Sequence, residues 1–563
     1  MRYFRAALGL LVLNHPFALA DWQYRSRPDL SPPRLNITIP AADDAAPGFI
    51  FVTPYPSFEG PRAGPEQSAA YIFRDNGDLV WSSLGYLAGW IGNFQAVRYK
   101  GRPVLQAFQG TLDPYHGHGF GTAVLLDQSY QQIATVQSLN RLVSIHEFRI
   151  VDEKTAIFEI FQPTPFDLEP HGGSKDNRWI IDGIWQEIDI ETGELVFEGH
   201  SLDFSDPSNG VIPPDPSRAG SGATSGDGWD YFHVNSIDKD SEGDYLISGR
   251  HTSTIYKLSG RDGSLIWQLG GRDSTFAVPD AIRFGYQHDA RFLSRSADGA
   301  IETISFFDNA ARSDRQRDGG LDQIRPQSSA RIFRLNHTDH TATEVRRFVG
   351  PDGGLVAPSQ GNAQVLPNGN VFVNWGQAGA VTEFRGADAT PIFHAYLDSG
   401  HLAPGVQSYR GFRYEWEGQP RERPAVVALR AGAETTVYVS WNGDTVAATW
   451  EFYARVDVVD GGSGLEDAVF RTQKLGAVAR TSFETSLAVS SSEIRGLGHH
   501  VRIFAVALDA AGQYIGRSVG VAVQDDIRVA AGEQPRRPKG RPPKVGAAAQ
   551  SVLKGSEAPR RDL

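Results

Sequence analysis

Five short stretches of this chain carry side chains of the kinds that do chemistry. "SIHEFRI" sets His146 and Glu147 in an apolar run, and "FHVNSI" carries His233 and Asn235. "SGRHTS" carries Arg250 and His251, "FGYQHDARFL" carries His288, Asp289 and Arg291, and "FFDNAAR" carries Asp308, Asn309 and Arg312. Residues two apart on a strand share a face, so His233 and Asn235 are expected to point the same way. Imidazole, amide and guanidinium together suit an anion with several oxygens. Arginine offers a two-pronged donor, asparagine its amide hydrogens, and histidine can donate or attack. Other readings stand beside this one. His146, His233 and His288 would satisfy Zn²⁺, although Arg250 beside them would repel a cation. A lone strand histidine is most often a satisfied core or surface residue, and His116, His118, His340, His499 and His500 are read that way. "FFDNAAR" could equally be a turn whose Asp and Asn bond their own backbone.

The elements that must position these residues are strands. "YIFRDNGDLVWSS" (71–83), "EIDIETGELVFEG" (187–199) and "YKLSGRDGSLIWQLGG" (256–271) each run strand, polar Gly turn, strand with an aromatic near its end. Weaker copies lie at 331–348 and 381–395. Between them, "NSIDKDSEGDYLISGR" and "NAQVLPNGNVFVNWG" read as inner hairpins about Gly turns. Two successive hairpins make a four-stranded blade, and repeated blades mean a β-propeller, with a series of β-sandwiches as the alternative. An all-β chain is expected, with a propeller over 49–420 after an extended Pro-rich lead over 21–48. A boundary near "YEWEGQPRERP" leads to period-2 strands over 421–527, read as a fibronectin- or immunoglobulin-like β-sandwich. The tail over 528–563 is low in apolar residues and reads as disordered. Its "RRPKGRPPK" resembles an AT-hook, but a solvated basic linker is the preferred reading.

The chain as a whole narrows the functions. Arg2 and Arg5, the apolar "AALGLLVL" and the small residues Ala18–Ala20 read as a signal peptide over 1–20, so a secreted protein is expected. There is no cysteine among the 563 residues, which excludes thiol chemistry and thiolate metal centres. A net charge of −12 argues against general binding of nucleic acid or anionic membrane. "NIT" at Asn36 and "NHT" at Asn336 are N-glycosylation triplets. No Walker motif and no dinucleotide fingerprint is found, and no cofactor or metal is expected.

Taken together, "HEF", "FHVNSID…GDYLISGR…IYKL…G…IWQLGG", "QHDARFL", "FDN" and "GNAQVLPNGNVFVNWG" resemble the arylsulfotransferase (ASST) family. The likeness is greatest to its secreted eukaryotic, largely fungal branch, and "SYRGFRYEWEG" (408–418) is similar to that branch's closing segment. The resemblance implies a six-bladed β-propeller. It implies transfer of a sulfuryl group from an aryl sulfate to a phenol, without the nucleotide donor PAPS, through a sulfohistidine. By order and spacing His288 corresponds to the nucleophile, and His146, His233, Asn235 and Arg250 to the oxyanion-binding set. His146 would then serve as general acid to the leaving phenolate. Bacterial members carry their extra β-domain at the N-terminus, whereas the candidate sandwich here is C-terminal. Two other functions fit the same sequence. One is a non-catalytic propeller binding a small ligand or glycan, with Trp229, Tyr231 and Trp375 to stack on sugars. The other is an aryl-sulfate hydrolase with water as acceptor.

Overall fold

The computed structural model describes residues 21–57, 64–216, 219–314, 320–351, 353–397, 405–458, 469–498 and 500–527. The expected signal peptide, basic tail and His499 lie outside the described residues. Six antiparallel sheets succeed one another along the chain as the blades of a propeller. Blade 2 runs Trp90–Tyr99, Arg102–Leu112, Gly119–Leu126, Gln132–Val136. Blade 3 runs Phe148–Val151, Thr155–Pro165, Trp179–Asp189, Leu195–His200. Blade 4 runs Val234–Lys239, Tyr245–Gly249, Thr254–Leu258, Leu265–Gly270, and blade 5 runs His288–Arg295, Ile301–Asp308, Ser329–Asn336, Thr341–Phe348. Blade 6 runs Asn362–Val365, Val371–Asn374, Ala380–Phe384, Pro391–Tyr396, with Asn36–Ile39 added outside. Blade 1 comprises Phe49–Val52, Tyr71–Phe73 and Leu79–Ser82, and its innermost strand is Gly411–Tyr414, supplied by the far end of the propeller segment.

Each blade is buried on both faces, which explains why its strands read as near-continuous apolar runs. In Tyr245–Gly249, Tyr245 and Ile247 enter the core shared with blade 3, while Leu246 enters the core shared with blade 5. The same alternation builds six wedge-shaped cores, one between each pair of neighbouring blades. The Gly turns do what glycine is needed for: Gly263, in "GRDGSLIW", has φ +74, open to glycine without strain. The Trp267 indole that ends this hairpin is buried and donates to Glu302 of blade 5 at 3.1 Å.

After Tyr414 the chain leaves the propeller, and eight further strands follow from Ala425–Ala431 to Val521–Asp525. Their apolar faces enclose a separate core that includes Val437, Val439, Trp450, Phe452 and Ile503. The expected sandwich would separate into two sheets. Here hydrogen bonding links the strands in one path, because Val521–Asp525 pairs in parallel with Ala425–Ala431 and antiparallel with Val501–Leu508. This second unit docks on the outer edge of blades 1 and 2. Asn442 exchanges two 2.9 Å hydrogen bonds with the Ser82 backbone, and the Tyr130 hydroxyl donates to the Gly443 carbonyl at 2.7 Å.

Candidate active site

The site is built from one structural position repeated around the ring: the start of the innermost strand. His146 and Glu147 precede Phe148–Val151, His233 precedes Val234–Lys239, and His288 and Asp289 open His288–Arg295. Gln360 leads into Asn362–Val365, and Tyr409 and Arg410 lead into Gly411–Tyr414. Strands converging on the axis bring these residues together although the chain separates them widely.

Four charged side chains form the floor. Arg410 donates to Glu147 at 2.9 Å and 3.3 Å, to Asn93 Oδ1 at 2.7 Å and to the Asn235 carbonyl at 2.9 Å. Arg291 bridges Glu147 at 2.7 Å and Asp289 at 2.6 Å. Two guanidinium groups and two carboxylates are thus enclosed with matched charge. Burial alone would raise the Glu147 pKa, but Arg291 and Arg410 hold it down at about 2. Asp289, at φ +56, is turned into this floor and does not orient His288.

Above the floor lies a cavity of about 200 Å³ lined by His116, His146, His233, Arg250, His251, His288 and Tyr409 among others. His288 Nδ1 lies 2.6 Å from Asn309 Oδ1 and 3.1 Å from the Tyr286 carbonyl, and the Gln360 N–H points at its Nε2 from 3.2 Å. Burial, reinforced by the Arg250 charge, pushes the His288 pKa well below that of a free imidazole. The ring is therefore neutral at neutral pH, with its proton on Nδ1 and a lone pair on Nε2. That is the form in which an imidazole attacks.

Arg250 lines the same cavity as His288. One of its Nη groups donates to His251 Nε2 at 2.7 Å and the other to the Pro358 carbonyl at 3.1 Å, while its enclosed Nε has no partner. No carboxylate lies within ion-pair distance of it among the described residues. Arg312, on the same cavity wall, is instead paired with Asp322 at 3.0 Å. Burial draws the Arg250 pKa down to about 10, so it stays charged at neutral pH. His251 in turn donates from Nδ1 to the Asp230 carbonyl at 2.6 Å. The Asp230 carboxylate receives His233 Nδ1 at 2.5 Å and His118 Nε2 at 2.9 Å.

His146, His233, Arg250 and His288 all line this cavity, whereas Asn235 does not reach it. His233 sits at φ +51 before the strand begins, and the register shifts between Val234 and Ser236. The simple alternation that would align His233 with Asn235 is broken, and the Asn235 amide donates to the Gln287 carbonyl at 2.6 Å. His116 and His118, read from sequence as ordinary core or surface residues, belong to the site. They sit on the hairpin tip between Arg102–Leu112 and Gly119–Leu126, which reaches over the cavity. Burial lowers the His116 pKa, yet Asp113 and Asp227, bonded to its two ring nitrogens, raise it overall. The H-x-H of "DPYHGHG" was the available signal. Tyr409, with an enclosed hydroxyl that has no protein partner, carried no signal of its own. In this site His118, Asp230 and His233 offer ligand atoms that lie within 4.8 Å of one another. They are engaged with one another, in hydrogen bonds centred on Asp230.

The buried histidines set an acid limit on stability. The pKa values of His146, His233, His251 and His288 are all lowered from 6.5, that of His233 to about 3, with burial the leading cause. Below 6.5 the unfolded chain binds protons at these sites that the folded chain does not, so stability falls with falling pH. Glu159 works the other way, because burial pushes its carboxyl up to about 8. It sets one proton against four, and His116 and His200, both raised by bonded carboxylates, also oppose the loss near pH 6.5. Urea unfolding between pH 6.5 and about 5 should show a loss of about 1.4 kcal/mol per pH unit for each net proton. A flat profile over that interval would remove the neutral-histidine account.

Loose structural likenesses exist. A protein of unknown function from Bacteroides caccae is 12% identical, with 65% of this chain and 98% of that one covered, at a TM-score of 0.34. Hydrazine synthase of Kuenenia stuttgartiensis is 10% identical over 57% and 72% of the two chains, at 0.25. The GH43 protein BlXynB of Bacillus licheniformis is 9% identical over 77% and 90%, at 0.26. At such scores none of them carries an inference. No curated protein matches the sequence. The sequence model of one family does match, over residues 95–395, more than half of the chain and all of blades 3 to 5. By that match the chain belongs to the arylsulfotransferase (ASST) family.

Proposed function

We propose that this protein transfers a sulfuryl group from an aryl sulfate to a phenol by way of a sulfuryl group held on His288. The observation that carries the reading is Arg250. It is a guanidinium without a carboxylate partner, lining the same cavity as His288 and close enough for its charge to lower that histidine's pKa. A charge so enclosed calls for an anion. The sulfuryl oxygens of an aryl sulfate supply it, and the sulfur then lies in front of His288 Nε2.

Sulfuryl transfer resembles phosphoryl transfer, with a loose transition state and charge on the peripheral and leaving oxygens. The Nε2 lone pair, released from the Gln360 N–H that it accepts at 3.2 Å, forms the N–S bond as the S–O(aryl) bond breaks, and the electron pair leaves on the aryl oxygen. Arg250 holds the sulfuryl oxygens, and His251 fixes the direction of its guanidinium. His146 and His233, held neutral, flank the group and add no competing charge. General-acid work needs an imidazolium, so we assign the proton exchanged with the phenol oxygen to His116, the cavity histidine whose pKa is raised, its Nε2 first releasing Asp227, the longer of its two partners at 3.3 Å. An acceptor phenol then reverses these steps, giving ping-pong kinetics. The reading further places the mature protein outside the cell, as the N-terminal sequence suggests.

The test is nitrophenol release from p-nitrophenyl sulfate with and without added phenol. Phenol-dependent release is expected, and Arg250→Ala should lower it by about a hundredfold to a thousandfold. Arg250→Lys should recover only part of the loss, because a lysine lacks the planar fork. Release that ignores phenol would mean hydrolysis. Folded protein releasing nothing from several aryl sulfates would leave a binding propeller.

A further inference from the structure

The partner of His288 is an amide, and its orientation is fixed. Asn309 follows the strand Ile301–Asp308 and is fully buried. Its Nδ2 donates to the Ala357 carbonyl at 2.8 Å and to the Gln360 carbonyl at 2.9 Å. Carbonyls only accept, so the nitrogen end of the amide must face them and the oxygen end must face His288. His288 Nδ1 then meets two acceptors, Asn309 Oδ1 at 2.6 Å and the Tyr286 carbonyl at 3.1 Å. Both require a hydrogen on Nδ1.

The difference between this amide and a carboxylate matters most after the sulfuryl group has arrived. A carboxylate in this place would both orient the ring and draw its proton once the ring became cationic. An amide oxygen orients the ring but is far too weak a base to take the proton. We propose that Asn309 keeps the proton on Nδ1 of His288 in both the free and the sulfuryl-loaded enzyme, so that the loaded ring stays a cation and a ready sulfuryl donor. The inference rests on the nucleophile reading above and assigns Asn309 as a positioning residue. The step balances. In loading, the Nε2 lone pair becomes the N–S bond, the aryl oxygen takes the S–O pair, and the Nδ1 proton does not move. In discharge, the acceptor phenol gives its proton to His116, its oxygen forms the bond to sulfur, and the N–S pair returns to Nε2 of a ring that is neutral again. Were the Nδ1 proton lost in between, the leaving group would be an imidazolide, a much poorer one. The other ionisable groups around the ring are Arg250, His233, His146, Tyr286 and Tyr409. The Nδ1 proton meets only Asn309 Oδ1 and the Tyr286 carbonyl, and burial makes His146 and His233 weak bases.

The experiment separates the two half-reactions in the full-length protein. p-Nitrophenyl sulfate without acceptor loads the enzyme, read as the nitrophenol burst and the mass of one added sulfuryl group. Phenol then discharges it. In Asn309→Asp the burst should persist while discharge slows roughly tenfold or more, so that loaded enzyme accumulates. The defect should deepen as pH rises through ionisation of the new carboxyl. Asn309→Asp discharging as fast as wild type at all pH values would overturn the inference while leaving the nucleophile reading intact. A wild type that never gains the sulfuryl mass would instead sink the nucleophile reading, and the inference with it. Should Asn309→Asp not fold, nitrogen-15 histidine spectra of wild type against His288→Ala decide the matter. A protonated Nδ1 on His288 before and after loading is expected, and a bare Nδ1 in either state refutes it.

Discussion

His288→Ala is expected to abolish phenol-dependent nitrophenol release, by roughly 10³-fold or more, as losses of a nucleophile do. The loss should be specific to chemistry. The variant leaves Asn309 bonded to Ala357 and Gln360 and the charged floor untouched, so its thermal unfolding should stay close to that of wild type. In acceptor-free loading, wild type should gain the mass of one sulfuryl group and the variant none. Added imidazole offers a sharper check, because the space vacated adjoins an existing cavity of about 200 Å³. Partial return of turnover with imidazole would place the missing function in the ring itself. Undiminished turnover in a well-folded His288→Ala would remove the covalent route altogether.

The second large effect concerns stability. Glu147→Ala would leave Arg291 and Arg410 enclosed with only Asp289 to balance them. Removing one partner of a buried ion network costs about 3–5 kcal/mol, because the charge left behind is not compensated. Denaturant unfolding measures it. The double variant Glu147→Leu with Arg410→Met should be less destabilised than Glu147→Ala, since an apolar replacement removes both charges. If Glu147→Ala unfolds within about 1 kcal/mol of wild type, the floor is wetter and looser than its geometry implies. Loss of the floor should also disturb catalysis. Glu147 adjoins His146, and Glu159 accepts both backbone N–H groups of that pair at 2.5 Å and 2.6 Å.

Most of the propeller was legible in the sequence because two-sided burial and Gly turns leave strong local marks. All five outer hairpins read from the sequence occupy the third and fourth strands of blades 1, 3, 4, 5 and 6. The outer hairpin of blade 2 escaped because its turn has no glycine. Tyr130 takes the left-handed position there at φ +63, Asp127 bonds the N–H groups of Ser129 and Gln131, and the Tyr130 ring stacks on Trp81 at 4.9 Å. A tertiary contact holds what glycine would have allowed locally. In the site, His146, His233, Arg250 and His288 were found because polar residues stand out in apolar strands. Asn235 was misplaced because strand alternation was assumed one residue too early, ahead of a bulge and a positive φ that composition does not announce. Arg410 lay in a segment noted only for its resemblance. Its pairing with Glu147 follows from ring closure, which no local pattern encodes.

That closure has a consequence for how the protein comes to be active. Arg410 and Tyr409 enter the site only when Gly411–Tyr414 takes its place inside blade 1, against Phe49–Val52. A chain growing from its N-terminus has completed five blades and most of the cavity wall before this strand exists. Until then Glu147 and Asp289 have one guanidinium between them, and blade 1 lacks its innermost strand. Joining strands so distant in sequence is slow, because the entropy of closing so long a loop is lost before any contact forms. Catalytic competence should therefore appear late and all at once during synthesis. Truncated chains ending before Arg410 should have no activity, however well their individual blades fold. Ring closure makes the active site a timer for completion of the chain.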